Sequence, residues 1–520
     1  MKWCDNIKKK IIAIGIFSIF LLGSSSFVIG FNINESVNIR QFSDNNDWYI
    51  YIVDEEDYDW YSSLAMDSNN YPHIISTSTA KFIQYYRWNG REWEHFDKIS
   101  EYVAYPASNS LVLDSEENPH ICYYAVQYGN CYIKYTTLKG TIWDITNIDY
   151  GEPGFAIFNS IDIDSQDKPH IAYTSDYYTG QIKYAKFDGY NWEIEIVDDT
   201  PNSTAAGIDI ALDSKDYPHI AYYEIYDENN GILCYARWNG TLWKKEIVDD
   251  SANVGAYVSL VLDSFDNPYF SYVCRQEGSS WWYGNIKYAY RVEENWVKEE
   301  VTTGNTIGSG TSIAVDSDGN PYIAYKEGNP GNCILKFSSR INGSWDSKIV
   351  VSGDPSYPSL ILDSNDKPNI GFCDNNSGNL YYATTVKLNS SPYSPSKPSG
   401  PTEGNVGEVY SYNTSTIDPD GDKVRYGWDW NGDKVVDEWT NFYNSGDTVT
   451  ASHSWSVRGT FQINVKANDS TGRESDWSDS LSVTIPKYKN IKLMNMQISR
   501  FIENILIKFM DAFQLFQVLS

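Results

Sequence analysis

Residues 209–220 read DIALDSKDYPHI: a short apolar strand, an Asp-Ser turn, and a second strand that opens on Pro218. The block returns as SLAMDSNNYPHI (63–74), SLVLDSEENPHI (110–121), SIDIDSQDKPHI (160–171), SLVLDSFDNPYF (259–270), SIAVDSDGNPYI (312–323) and SLILDSNDKPNI (359–370). Its turn aspartates are Asp67, Asp114, Asp164, Asp213, Asp263, Asp316 and Asp363, at intervals of 47 to 53 residues. An Asp side chain accepts from backbone amides two residues on and holds a turn ahead of proline, so these aspartates have a local structural job.

Each copy continues into a Tyr-rich strand, as in IKYAKFDG (182–189), and a strand led by tryptophan, as in NWEIEIVDD (191–199). That makes four strands per repeat. The leading tryptophans are Trp93, Trp143, Trp192, Trp243, Trp296 and Trp345, and the last copy ends at LYYATTVKL (380–388) without one. The missing strand is DWYIYIVDEED (47–57), where Trp48 to Val53 repeats the spacing of Trp192 to Val197. Four-stranded units at this period stack radially, and a ring leaves no sheet edge open. The expectation is an all-β chain with a seven-bladed β-propeller over 44–388, closed by its N-terminal strand.

Aromatic residues make up 15% of the 520 positions, 42 of them Tyr, in line with a sheet-rich chain large enough for more than one domain. Residues 1–30 place Lys8, Lys9 and Lys10 before the apolar run IIAIGIFSIFLL and small residues at 23–26, the pattern of a signal peptide or an N-terminal anchor. Either form puts the rest of the chain outside the cytoplasm, extracellular or at the cell surface. The formal charge of −29, with no basic patch in 31–486, argues against nucleic acid and anionic lipid as partners of that region. Of seven cysteines, six lie beyond the leader and form either disulfides, with Cys122 and Cys131 flanking one hairpin, or buried thiols. Sequons at Asn202, Asn239, Asn342 and Asn468 are compatible with an exported surface.

Residues 389–404, NSSPYSPSKPSGPTEG, form a Pro/Ser/Gly linker. Beyond it, 405–486 carries GEVYSYNTSTIDPDGDKVRYGWDWNGD, SHSWSVRGTFQINVKANDSTG and LSVTIP, with Asp418, Asp420, Asp422, Trp428, Asp429, Trp455 and Gly459 among the telling positions. This segment resembles the PKD family of Ig-like β-sandwiches, and the resemblance implies a spacer or adhesive module on an exported protein. No cofactor is required, but DWNGDKVVDEW alternates Asp429, Asn431, Asp433 and Asp437 as hard oxygen ligands suited to Ca²⁺. It departs from the EF-hand loop at Lys434 and Thr440, and the alternative is an ordinary strand and turn of the sandwich. Residues 487–520 repeat Met494, Ile498, Phe501, Ile502, Ile505, Phe509, Phe513 and Phe516 at helical spacing, an amphipathic tail for attachment to a membrane interface or envelope, or for packing on a partner.

The 44–388 repeats are similar to the repeat propellers of bacterial and archaeal surface proteins, loosely near sialidases. A sialidase needs an arginine triad for its substrate carboxylate. Arg87 and Arg237 share one repeat position, as framework residues would, and Arg91, Arg275, Arg291 and Arg340 share none, so the triad is not assembled. His73, His120, His170 and His219 follow the repeat proline. Sheets stacked about 10 Å apart cannot bring these nitrogens to the ~2 Å of one zinc, so they are read as packing residues.

Strand alternation sends the DSxxxP and NGxxW connections to one rim and the variable connections to the other. The variable rim gathers Trp60, Tyr61, Tyr102, Tyr105, Tyr128, Phe155, Tyr178, Tyr257, Trp281, Trp282 and Tyr357 beside Glu55, Asp57, Asp176, Glu224 and Glu277. Aromatic platforms mixed with carboxylates suit a glycan or a surface protein as ligand. The ligand set expected is Trp60, Tyr105, Tyr128, Phe155, Tyr178, Tyr257, Trp281 and Trp282. The function expected is non-catalytic binding or adhesion. The alternative is a secreted glycosidase or lyase on the same scaffold, which would need two carboxylates about 5 to 10 Å apart.

Overall fold

The computed structural model describes residues 47–55, 59–78, 82–96, 99, 109–127, 129–151, 158–174, 180–199, 207–227, 230–251, 254–275, 283–302, 306–307, 310–329, 331–486 and 491–518. The leader lies outside them. Each repeat folds as an antiparallel sheet whose strands follow chain order. In the Asp213 repeat these are Ile208–Leu212, Pro218–Asp227, Asn230–Trp238 and Trp243–Asp249. The Asp363 repeat takes its outer strand from the N-terminus: Tyr49–Asp54 pairs with Leu380–Thr384, Tyr51 opposite Tyr382. These repeated four-stranded sheets resemble propeller blades.

The turn chemistry read from the sequence is present. Asp213 Oδ1 accepts from Lys215 N at 2.8 Å and Tyr217 N at 2.9 Å, and the same pair of bonds forms at the other turn aspartates. Asp216 then adopts φ 61° and faces the preceding sheet, where Ser165 donates to it from both N and Oγ.

Successive sheets are joined at three radii. Innermost, the amides of Leu111, Ile161, Ile313, Leu360 and Leu64 donate to Ser63, Ser110, Ser259, Ser312 and Ser359 of the neighbouring sheet. Asp209 takes the serine's place toward Leu260 N, at 2.8 Å. At the turn rim, Ser115 donates to Asp167, Ser214 to Asp266, Ser317 to Asp366 and Ser364 N to Asn70. Farther out, a third-strand ring meets the next sheet's outer tryptophan edge-on: Tyr85 with Trp143, Tyr135 with Trp192, Tyr184 with Trp243, Tyr235 with Trp296, Tyr288 with Trp345, Phe337 with Trp48 and Tyr382 with Trp93, at centroid separations of 5.2 to 5.6 Å. Such pairs add about 0.5–1.5 kcal/mol each beyond area burial. Trp48 therefore occupies the place its spacing assigned to it.

The six described cysteines are free thiols: Cys122 Sγ donates to Asn159 Oδ1 and Cys131 meets the Tyr124 hydroxyl, so the hairpin disulfide is not formed. In the second domain a two-stranded and a four-stranded sheet enclose Tyr412, Trp428, Trp430, Trp455, Val465 and Val483. Residues 389–404 run along this domain, with Ser396 N donating to Ser415 O and Ser399 bridging Asn413. Ile491–Val518 is a helix, and among the described residues no helix is long and apolar enough to cross a membrane.

Candidate binding site

The first strands of neighbouring repeats pack side by side, and Asp59–Met66 also contacts Pro355–Leu362. Six residues before each turn aspartate, the chain places Tyr61, Ser108, Phe158, Gly207, Tyr257, Gly310 and Tyr357. Ser108 lies outside the described residues. The register of three of these strands is broken by bulges, between Trp60 and Ser62, Ala256 and Ser259, and Ser356 and Ser359. The tyrosines at the bulges have left-handed backbone, φ 43° at Tyr61, 51° at Tyr257 and 49° at Tyr357. Bulges re-aim side chains, and non-glycine residues in this region cost about 1–3 kcal/mol each.

Glycine makes the room. A Cβ on Gly207 would lie 2.9 Å from Tyr257 N, and one on Gly310 would lie 3.2 Å from Tyr357 Cα, so each glycine lets the next repeat's tyrosine backbone close in. The rings of Tyr61 and Tyr357 lie 3.8 Å apart at 32°, and Ser62 Oγ donates to Tyr357 O. Burial pushes both phenols above their ordinary value, and the charge of Tyr257 adds to the effect on Tyr357. All three tyrosines remain partly exposed. The result is a small aromatic platform on the innermost strands, at the rim opposite the DSxxxP turns.

Of the eight expected ligand residues, Trp60 and Tyr257 are described, and both stand on these bulged strands. Trp60 Nε1 is buried without a hydrogen-bond partner among the described residues. Tyr105, Tyr128, Phe155, Tyr178, Trp281 and Trp282 lie outside the described residues. The left-handed backbone was not expected from sequence. Its trace there is the succession Gly207, Tyr257, Gly310, Tyr357 at one position of the last four repeats.

Below the platform, Asp162 and Asp209 enter the innermost layer from adjacent repeats. Asp162 accepts from Ile163 N and Leu212 N, while Asp209 accepts from Ile210 N, Leu260 N and Ser160 Oγ. Burial, with the nearby Asp209 charge, pushes the Asp162 carboxyl up to about 6. Every oxygen of the pair serves a neighbour, which makes them staples between sheets.

The four histidines are buried, as expected of packing residues, each beside its turn aspartate and bonded to a third-strand tyrosine; His170 Nδ1 meets Tyr184 Oη at 2.6 Å and its Nε2 lies 3.4 Å from Asp164. Among the described residues the arginines do not converge. Arg87 holds Glu94, Arg291 holds Glu246 and Arg340 holds Glu299.

In the second domain, Asp429 is fully buried and accepts from Asn431 N, Gly432 N, Lys434 N and Asn464 Nδ2. Asn431 accepts from Asp433 N, Asp433 from Val435 N, and Asp437 from Trp430 N. A tighter acidic group stands nearby in sequence: oxygens of Asp418, Asp420 and Asp422 lie within 4.8 Å of one another. Asp418 is 2% exposed and its Oδ2 has no partner among the described residues. Burial, together with Asp420 and Asp422, pushes its carboxyl up to about 6.

No protein-family model and no curated protein matches the chain. Among solved structures, the PKD domain of an M14-like peptidase from Thermoplasmatales archaeon SCGC AB-540-F20 is 42% identical over 19% of this chain and 99% of its own length, with a TM-score of 0.18. An ulvan lyase is 11% identical over 64% of this chain and 92% of its own, TM-score 0.47. A lectin of Aleuria aurantia, in complex with a fucosylated GlcNAc, is 11% identical over 56% of this chain and 96% of its own, TM-score 0.40.

Proposed function

The second domain belongs to the PKD family, and from that premise we propose that the chain is a non-catalytic binding protein, exported to the cell surface or beyond, whose repeats form a ligand-binding propeller. The observation that carries this reading is the strained tyrosine platform. Three left-handed tyrosines at one level are costly unless the exposed rings are used. Flat, partly exposed rings suit the C–H faces of a glycan. A seven-bladed, closed ring is supported by the pairing of Tyr49–Asp54 with Leu380–Thr384 and by the bonds from Ser364 to Asn70 and from Leu64 to Ser359. Catalysis by Asp162 and Asp209 is the second reading, favoured by the raised Asp162 carboxyl; their occupied oxygens favour the structural role.

Ca²⁺ fits the second domain as an optional ligand, best at Asp418, Asp420 and Asp422, where one buried oxygen is unused; the Asp429 loop would have to give up backbone bonds. The tail is proposed to lie on a membrane interface. Ile498, Phe501, Ile502, Ile505 and Phe509 are exposed along one helical face, and 487–520 carries Lys487, Lys489, Lys492, Arg500 and Lys508 against Glu503 and Asp511. The test of the ligand site is titration of a bound oligosaccharide against Tyr257→Ala and Trp60→Ala in the full chain. Each is expected to lower affinity about tenfold or more with the melting temperature nearly kept. Unchanged affinity in folded variants would move the site elsewhere.

A further inference from the structure

A surface that the chain uses on itself is built a second time. In the Asp67 repeat, Tyr71 and Trp88 form a groove beside the Asn89-Gly90 turn, where a Cβ on Gly90 would come 2.5 Å from Tyr71 Oη. The linker and the second domain border this groove on its far side, with Asn389, Thr471 and Arg473 in its wall. The Arg473 guanidinium lies 4.6 Å from the Tyr71 ring centroid and donates to its hydroxyl, and Ser391 N donates to Gly90 O at 2.7 Å. Under that cover Trp88 is 1% exposed.

The Asp213 repeat carries the same frame. A Cβ on Gly240 would lie 2.9 Å from Tyr217 Oη, and Trp238 meets Trp243 at 5.6 Å and 63°, as Trp88 meets Trp93 at 5.7 Å and 66°. Only these two repeats combine Tyr before the repeat proline with Trp before Asn-Gly. Here Tyr217 and Trp238 are partly exposed and Gly240 is exposed, on a groove of about 310 Å³. Its lining includes Asp164, Glu195 and Asp216 against Lys186 and Lys215.

We propose that the Asp213-repeat groove docks an arginine-bearing loop of a partner protein, in the way the Asp67 repeat holds Arg473. A guanidinium is planar and weakly hydrated, so it stacks on an aromatic face where an ammonium gains less. The carboxylates outnumber the lysines at the groove, and the chain's charge of −29 draws cationic partners generally. The proposal does not depend on the tyrosine platform, which lies at the other rim.

The test is ¹⁹F NMR of the full chain labelled with fluorotryptophan, titrated with N-acetyl-arginine methylamide. The Trp88 and Trp238 lines are assigned with Trp88→Phe and Trp238→Phe. A single side chain is expected to bind at about millimolar strength, shifting Trp238 and leaving Trp88 unmoved. Arg473→Ala should open the first groove, so that both lines shift. Tyr217→Ala should abolish the Trp238 response, and the lysine analogue should act several-fold more weakly. A silent Trp238 line in the folded chain, a response that survives Tyr217→Ala, an equal response to lysine, or a Trp238 response to methyl glycosides in place of the arginine probe would each overturn the proposal.

Discussion

Asp162 and His170 sit in the same repeat and are tuned in opposite senses. Burial, with Lys186 adding to it, pushes His170 down to about 4, so folding excludes a proton that the unfolded chain takes up as pH falls from its ordinary value. Stability from His170 is present above the unfolded value and is lost on acidification toward 4. Asp162 is held up to about 6, so the folded chain binds a proton that the unfolded chain has released. Its contribution is present at low pH and is lost as pH rises from about 4 to 6. The stability of the native chain minus that of Asp162→Asn should therefore fall across that window, by about 1–3 kcal/mol. Denaturant titrations at pH 4 and 7 read this difference, and a flat or rising difference would refute the assignment. The turn aspartates were legible in the sequence because an Asp-Ser-x-x-x-Pro turn is made by its own neighbours. The left-handed tyrosines were not, because the bulges at Tyr257 and Tyr357 depend on glycines one repeat away and Tyr61 packs on Tyr357 across the chain.

The element with the least local support is the N-terminal strand, and Trp48 is what fixes it. Trp48 is 2% exposed and packs edge-on against Phe337 at 5.3 Å, in another repeat's sheet. Its place was readable from the Trp-to-Val spacing alone, since every outer strand must offer a tryptophan to the ring before it. Trp48→Ala should cost about 3–5 kcal/mol, the range for a buried aromatic truncated in a core. Exposed Tyr190, at 90%, serves as the control, and its alanine variant should change stability by less than about 0.5 kcal/mol. Thermal melts of the two variants compare them directly, and equal melting temperatures would mean that the strand does not seal the array.

At the scale of the molecule, composition and periodicity lead to the expectation of two β domains, a linker and a helical tail. The sequence did not disclose that the linker and Arg473 lie on the Asp67 repeat, because Arg473 and Tyr71 stand 402 positions apart. Contacts at that separation leave no periodic trace. Nor could it separate the two acidic sets of the second domain, of which the Asp418 set keeps one buried oxygen, Asp418 Oδ2, without a partner among the described residues while the other Asp418 oxygen and those of Asp420 serve backbone amides and Lys387. Under the proposed function, the repeat-built scaffold presents the left-handed tyrosines at one rim. The most direct measurement is binding of the purified full chain to a broad glycan and polysaccharide panel, beside a Tyr61→Ala/Tyr257→Ala variant, with Ca²⁺ present and chelated. Selective capture of a narrow set of glycans, lost in the variant, is expected. A blank panel from folded native chain, or capture that the variant keeps, would contradict a glycan site on the tyrosine platform.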